Sequence, residues 1–459
     1  MTIKQLFMPS DMTVGRPWEK IVIFTIPMLI GNIAQQLYNT VDSIVIGKYV
    51  GDNALAAVGS AAPIMNLLLV LFVGISVGAG VMVSQYFGAR QREELSVTIG
   101  NCVTLTGIAS LIIMVLGALL SRPLLELLNT PDSIIDWCTS YLVILMVGCV
   151  GSAYYNILCG ILRGLGDSIS ALVYLLVATG INIVLDIVFV ANLDLGVAGV
   201  AYATVIAQAV SAVLCFVRLM RMKETFDFKK EYLKMKKKYS MEIIRLGLPS
   251  GINQAIFSLA MVVVQSLTNS FGEMVIAANV IIMRVDGFAM MPNFSFGTAM
   301  TTYAGQNVGA QRMDRVEQGT KQGTLIAVAT SAVITLMILL FGRYLMAIFS
   351  DTEELVLLSA NMMKILAAGY IAMAVTQSLS GVMRGAGDTT TPMWISLIVT
   401  VLIRVPLAYG IAYLTRTPEL PNGRYECLWV SLLLSWVLGA AITYICYRRG
   451  KWKEKFSKS

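Results

Sequence analysis

The chain has 459 residues, 57% of them hydrophobic and 13% charged, with a mean hydropathy of +0.74. Soluble domains carry about 25% charged residues, so this composition excludes an ordinary soluble enzyme and points to a polytopic membrane protein. The absence of histidine excludes His-based proton relays, His metal sites, haem ligation and His general bases.

Met1 to Glu19 is polar, with Lys4 and Arg16, and the first apolar run is already a full span, so no cleaved leader is expected. Apolar runs of bilayer-spanning length fall at 20–46, 54–84, 96–120, 134–158, 169–191 and 196–218. Six more fall at 243–271, 276–305, 319–343, 357–381, 392–415 and 427–447. Pro27, Pro63, Pro249, Pro292, Pro392 and Pro406 lie in or at the ends of these runs and are candidate bends.

With twelve spans, one set of loops and both termini carry 26 Lys and Arg residues, and the opposite loops carry 5. The positive-inside rule then places both termini in the cytoplasm, with a bacterial inner (plasma) membrane as the expected location. The net charge of +7 is therefore topology and not a nucleic-acid signal. Its densest part is the linker 221–242, with Lys229-Lys230 and Lys236-Lys237-Lys238. This segment reads as a charged tether between an N-terminal lobe (1–220) and a C-terminal lobe (243–459) that ends in a basic tail. The seven cysteines are scattered without a CxxC pair or metal-ligand spacing and read as small residues of membrane helices.

The two halves repeat. Arg163-Gly164-Leu165-Gly166-Asp167 returns as Arg384-Gly385-Ala386-Gly387-Asp388, an offset of 221. Gly88-Ala89 returns at the same offset as Gly309-Ala310, Gly51 as Gly272, and Ala56-Ala57 as Ala277-Ala278. Each copy holds six spans, an even number, so both insert the same way up. The predicted fold is an all-α polytopic membrane protein with twelve transmembrane helices in two parallel six-helix repeats and a substrate path between them. The RGxGD loops lack a preceding strand and a following GK[ST], so the Asp is read as a helix N-cap and not as part of a phosphate loop.

Three carboxylates lie inside spans: Asp42, Asp186 and Asp286. A carboxylate at that depth costs about 2.5–3.5 kcal/mol on insertion scales and marks a cavity or a partner. Asn182 and Asp186 are four residues apart and share a helical face. Asn32, Gln35, Asn39 and Asp42 form one polar stripe on the first span, and Thr204, Gln208 and Ser211 form another on the sixth. Two carboxylates without an intramembrane Lys or Arg in the same half are poor interhelical glue. Close together in a low dielectric, they need a shared proton or a cation. Asp286 stands apart, with Arg284 two residues away and Arg404 in the eleventh span as possible neutralising partners. Met283, Met290, Met291 and Met300 give the eighth span an adaptable apolar surface. No nucleophile–base arrangement or nucleotide motif is present, so the chain reads as no enzyme, and any transport would draw on an ion gradient.

The twelve spans, the 6 + 6 repeat, Asp42 with its stripe, and the paired Gly-Ala and RGxGD loops resemble the multidrug and toxic compound extrusion (MATE) family. The resemblance implies a V-shaped pair of lobes that export organic cations in exchange for Na⁺ or H⁺, without a cofactor. It implies a cation site at Asp42, Asn182, Asp186 and Thr204, where Asp42 and Asp186 would hold Na⁺ in a sodium-coupled member, and a hinge at Pro27. The substrate cavity would draw on Gln35, Asn39, Gln208, Met283, Arg284, Asp286 and Met290. Another branch of the family uses acids in helices seven and ten, where this chain has Phe257 and Met373. Expected partners are small organic cations or amphipathic drugs and the lipid bilayer, with no nucleic acid and a monomeric chain. A lipid-linked precursor flippase is the alternative. It would call for a strongly basic cavity, and the first-half spans contain no basic residue within them. Asp186 and Asp42 map at the offset of 221 onto Leu407 and Val263, which locates the ion chemistry in the N-terminal half.

Overall fold

The computed structural model describes residues 9–127 and 130–456, and among these the regular structure is helical. Ten helices are long and apolar enough to cross a membrane, and twelve spans result if each of two bent pairs counts as one. The spans of the first copy are Pro17–Tyr49, Asp52–Gly88, Arg92–Leu127, the bent pair Asp132–Val147 and Cys149–Gly164, Ser168–Asn192, and Gly196–Met220. Those of the second are Lys237–Asn269, Glu273–Gly309, Met313–Ala347, the bent pair Glu353–Ala367 and Gly369–Gly385, Thr390–Leu414, and Cys427–Arg449. The protein is thus a multi-pass, all-helical membrane protein.

Both copies break their fourth helix at the same place. The bends are 52° at Gly148 and 44° at Ala368. At Gly148 the sixth span comes so close that an added Cβ would lie 2.3 Å from the Val205 side chain. Both copies also contain a π turn in their fifth helix, Ile187–Asn192 in the first and Ile398–Arg404 in the second. Neither π segment contains a Pro or Gly, but Pro406 follows the second within two residues, and its missing N–H deprives the Leu402 carbonyl of its helical donor.

The contacts divide the chain into two compact units, Met1–Asp11 with Ile26–Gly251, and Met12–Thr25 with Ile252–Ser459. Two of the three boundaries fall within a helix and close to a proline. The first span changes unit just before Pro27 and the seventh just after Pro249. Each proline removes one backbone donor and loosens its helix at that point.

Within the first unit, glycines let helices touch backbone to backbone. Gly74 and Gly78 of the second span face Gly247 and Gly251 of the seventh, a GxxxG spacing on both helices. A Cβ on Gly247 would lie 2.1 Å from the Gly74 carbonyl oxygen. Lipid supplies no hydrophobic drive between helices, so this close van der Waals approach replaces it.

The RGxGD loops are tight turns. Gly166 and Gly387 adopt φ of +84° and +88°, where a Cβ is strained. Asp167 then caps the fifth span by accepting the Ser170 amide at 2.9 Å, and Asp388 accepts that of Thr391 at 3.3 Å. Arg218 pairs with the buried Asp167 at 3.0 Å and ties the sixth span to this turn.

The basic linker is clamped to the first unit and is not a free tether. Arg92 donates to the Glu224 and Lys223 carbonyls and to Asp227. Asn101 accepts the Lys236 amide at 2.7 Å, and Thr104 donates to the Leu233 carbonyl at 2.7 Å. The Arg92 guanidinium holds the Asp227 carboxyl below its usual range.

Candidate functional site

The first, fifth and sixth spans of the first unit converge on one polar cluster. Asn182 and Asp186 are fully buried, and Asp42 is partly buried. The amide orientation of Asn182 follows from its surroundings. With its nitrogen turned toward the acids, it donates to Asp42 Oδ1 at 2.8 Å and to Asp186 Oδ2 at 3.1 Å. The carboxyl groups of Asp42 and Asp186 also contact each other directly. Two acids in contact, with one amide for a donor, are complete only with a shared proton or a bound cation.

The cluster has an unused acceptor, the buried Asp186 Oδ1, which has no hydrogen-bond partner; Gln208 Oε1, one turn after Thr204 on the sixth span, is likewise buried and unpartnered. Buried polar atoms are normally paired, so such orphans mark where a missing group belongs. The acceptors gathered there are carboxylate oxygens, which suit a proton or a small hard cation. Among the described residues, this cluster included, no three or more Cys, Asp or Glu side chains gather into a possible metal cage.

Thr204 stands beside the acids through a tyrosine. The Tyr38 hydroxyl donates to Thr204 Oγ1 at 3.2 Å, and Tyr38 is 7% exposed. Tyr141, from the fourth span, lies close enough to both Asp42 and Asp186 to sense their charge. Neither tyrosine was singled out from the sequence. Tyr38 had a signal, since it sits four residues before Asp42 and shares its face. Tyr141 reads as ordinary core. Ser211 leaves the group, because its hydroxyl donates to the Tyr174 carbonyl of the fifth span and only ties helices together.

The rest of the first-span stripe lines a cavity of about 120 Å³ within the same unit. Pro27, Asn32 and Gln35 face Tyr155, Asn156, Arg163 and Ser168 there, with Leu172 and Leu175 as apolar wall. Asn39 lies outside the residues whose side chains are described.

The second-unit candidates do not form one group. Met283 and Arg284 are exposed, while Met290 is buried in the apolar core. Asp286 accepts a hydrogen bond from the Tyr370 hydroxyl at 2.9 Å. The expected neutralising ion pair with Arg284 or Arg404 is not among the ion pairs of the described residues. A buried phenol from the tenth span takes the partner's place.

The MatE family profile matches residues 27–188 and again 249–410, two copies that begin at the two prolines. The probable multidrug resistance protein YoeA of Bacillus subtilis (strain 168) is 28% identical over 445 residues, covering 95% of each chain. A crystal structure of MATE in the bent conformation aligns over all of both chains with a TM-score of 0.90 and 23% identity. One in the straight conformation aligns as completely, with a TM-score of 0.89. These likenesses fix the fold.

Proposed function

The chain belongs to the MatE family of membrane transporters, and from that premise we propose that it is a secondary antiporter exporting amphipathic, often cationic organic compounds in exchange for Na⁺ or H⁺. The observation that carries this reading is the buried Asp42–Asn182–Asp186 cluster with its orphaned Asp186 oxygen. The name of the Bacillus relative, a probable multidrug resistance protein, supports the choice of cargo.

The coupling ion is cargo on its own site. Asp42 and Asp186 bind it, Asn182 orients the two carboxyls, and Thr204, held by Tyr38, and Gln208 complete the surroundings. Removing the ion leaves two buried negative charges in contact, which the low dielectric punishes. The first span carries both Asp42 and Pro27, about 22 Å apart along the helix axis at 1.5 Å per residue. A change of charge at Asp42 therefore moves a helix already loosened at Pro27, and Asn32 and Gln35 between them line the cavity. Ion release and cargo binding are linked through this one helix. In this reading cargo in the C-terminal lobe meets Asp286 and the exposed Met283 and Arg284, while Met290 supports them from the core. The monomeric chain lies in the plasma membrane with both termini cytoplasmic, and residues 221–242 join the two six-helix lobes.

The test is efflux from proteoliposomes under a sodium gradient alone and then a pH gradient alone. One of the two gradients is expected to drive export, and Asp42→Asn and Asp186→Asn are expected to abolish it. Gradient-driven export retained in both variants defeats the cation site. A flippase of lipid-linked precursors would instead move such lipids regardless of either gradient.

A further inference from the structure

The second copy of the repeat buries a guanidinium in the register where the first copy buries its bridging amide. Upstream of the π turn Ile398–Arg404, the copies run at the offset of 221 that relates Asp167 to Asp388. The two family matches, 27–188 and 249–410, run instead at an offset of 222 from end to end. Arg404 thus takes the position of Asn182, and Ala408 that of Asp186. The counterpart of Asp42 is a valine at either offset, Val263 or Val264. The expected counterpart Leu407 shifts by one residue, and the conclusion that the second copy lacks the carboxylate stands.

Arg404 is 5% exposed, and its Nε is buried without a partner. Its two terminal nitrogens reach only the thioether sulfur of Met261, each at 4.0 Å. Asp286 lies near enough to interact electrostatically but is engaged by Tyr370 at 2.9 Å, and no ion pair closes between them. Four spans of the second unit therefore present Met261, Asp286, Tyr370 and Arg404 to one another. The guanidinium fork has no oxygen acceptor among the described residues. A buried guanidinium left in that state is costly, and its planar fork fits a carboxylate with two parallel hydrogen bonds.

We propose that Arg404 is a recognition site for a carboxylate on the cargo, so that the second unit takes zwitterionic amphiphiles, with the carboxylate on Arg404 and the cationic end toward Asp286. The thioethers of Met261 and Met363, the latter 3.8 Å from the Tyr370 hydroxyl, supply an adaptable apolar wall for the body of such a molecule. This rests on the transporter reading above and names a cargo class for it.

The experiment is equilibrium binding of two matched dyes to the purified full-length chain by fluorescence anisotropy. Rhodamine 110 carries a free carboxylate, and rhodamine 123 is its methyl ester. Arg404→Gln is expected to weaken rhodamine 110 about thirtyfold or more, the scale of losing one partner of a buried charge pair. Rhodamine 123 is expected to stay within about twofold, because it has no carboxylate for the fork to hold. Arg404→Lys keeps the charge but loses the fork. It is expected to weaken rhodamine 110 alone, and it carries the test if the glutamine variant fails to fold. Equal losses for both dyes, no loss for either, or no rhodamine 110 binding to the unaltered chain would overturn the proposal. So would complete displacement of rhodamine 110 by chloride with rhodamine 123 unaffected, which would assign the fork to a free halide. Binding needs no gradient. A chain that binds with this signature yet exports neither dye defeats the antiporter reading and supports the Arg404 site.

Discussion

In the N-terminal unit three spans converge on two carboxylates bridged by an amide. In the C-terminal unit four spans converge on a guanidinium and a carboxylate that do not pair. The backbone is the same in outline, with a bent fourth helix, a π turn in the fifth and a proline inside the first helix of each copy. The difference teaches that a duplicated fold supplies equivalent interior positions and leaves their charge free to diverge. A carboxylate pair asks for a cation, and a lone guanidinium asks for an anion.

The largest expected effect comes from making the first unit like the second. Asp42→Val gives the first span the residue type of its counterpart. Losing one ligand of a buried charge cluster costs about 3–5 kcal/mol, so coupling-ion affinity should fall about a hundredfold or more. Isotope uptake or calorimetry with the purified chain measures it, and unchanged affinity would remove Asp42 from the site. The corresponding change in the second unit, Asp286→Asn, should leave ion affinity within about twofold.

Packing gives the next effect. Gly247→Ala forces a methyl against the Gly74 carbonyl, an overpacking expected to cost about 1–3 kcal/mol. Gly410→Ala, in the second unit with nothing within 4 Å of the added atom, should be neutral or gain up to about 1 kcal/mol from helix propensity. Thermal melts of the two variants in one detergent should separate them. Similar melting points would mean that the two glycines do not differ in packing.

The tyrosines sharpen the comparison on a smaller scale. Tyr38→Phe removes the hydrogen bond to Thr204 and should cost about 0.5–1.5 kcal/mol. Through Thr204 it should also weaken coupling-ion binding severalfold. Tyr370→Phe removes the partner of Asp286 at a similar cost and should leave ion binding untouched. A double variant of Tyr38→Phe with Thr204→Val that loses no more than either single change would support the pair.

The smallest effect lies at the linker. Arg92 depresses the Asp227 carboxyl, so the contact stabilises the fold above the unfolded carboxyl range, about pH 3.9, and this stability fades as pH falls through the depressed folded value. Melting curves of Asp227→Asn and the unaltered chain should differ slightly at neutral pH and converge in acid. The pair is exposed, so salt should shrink the difference.

Asp42, Asn182 and Asp186 were legible in the sequence because a carboxylate deep in an apolar run has few inexpensive explanations. Thr204 and Gln208 were legible as a face. Tyr38, Tyr141 and Tyr370 were not, because tyrosine at helical spacing is more often core, and only its hydroxyl's partner tells otherwise. Arg404 was visible as a charge in a span, but that its guanidinium meets only a thioether depends on how separate spans pack. The bonds from the helix-start amides to Asp167 and Asp388 were readable because the preceding Gly and the following helix constrain a few bonds locally.

The sequence by itself determined the membrane-spanning class, the duplication and the residues whose burial is expensive. Hydropathy, charge bias and a fixed offset are properties of the chain read locally. Only the tertiary structure decided which of those residues meet. Asn182 came to lie between Asp42 and Asp186, Asp286 went to a phenol instead of an arginine, and the units changed over at Pro27 and Pro249. Such outcomes depend on helix rotation and close approach between segments far apart in sequence. A single turn inserted or a single Cβ omitted settles them, and no local pattern encodes that.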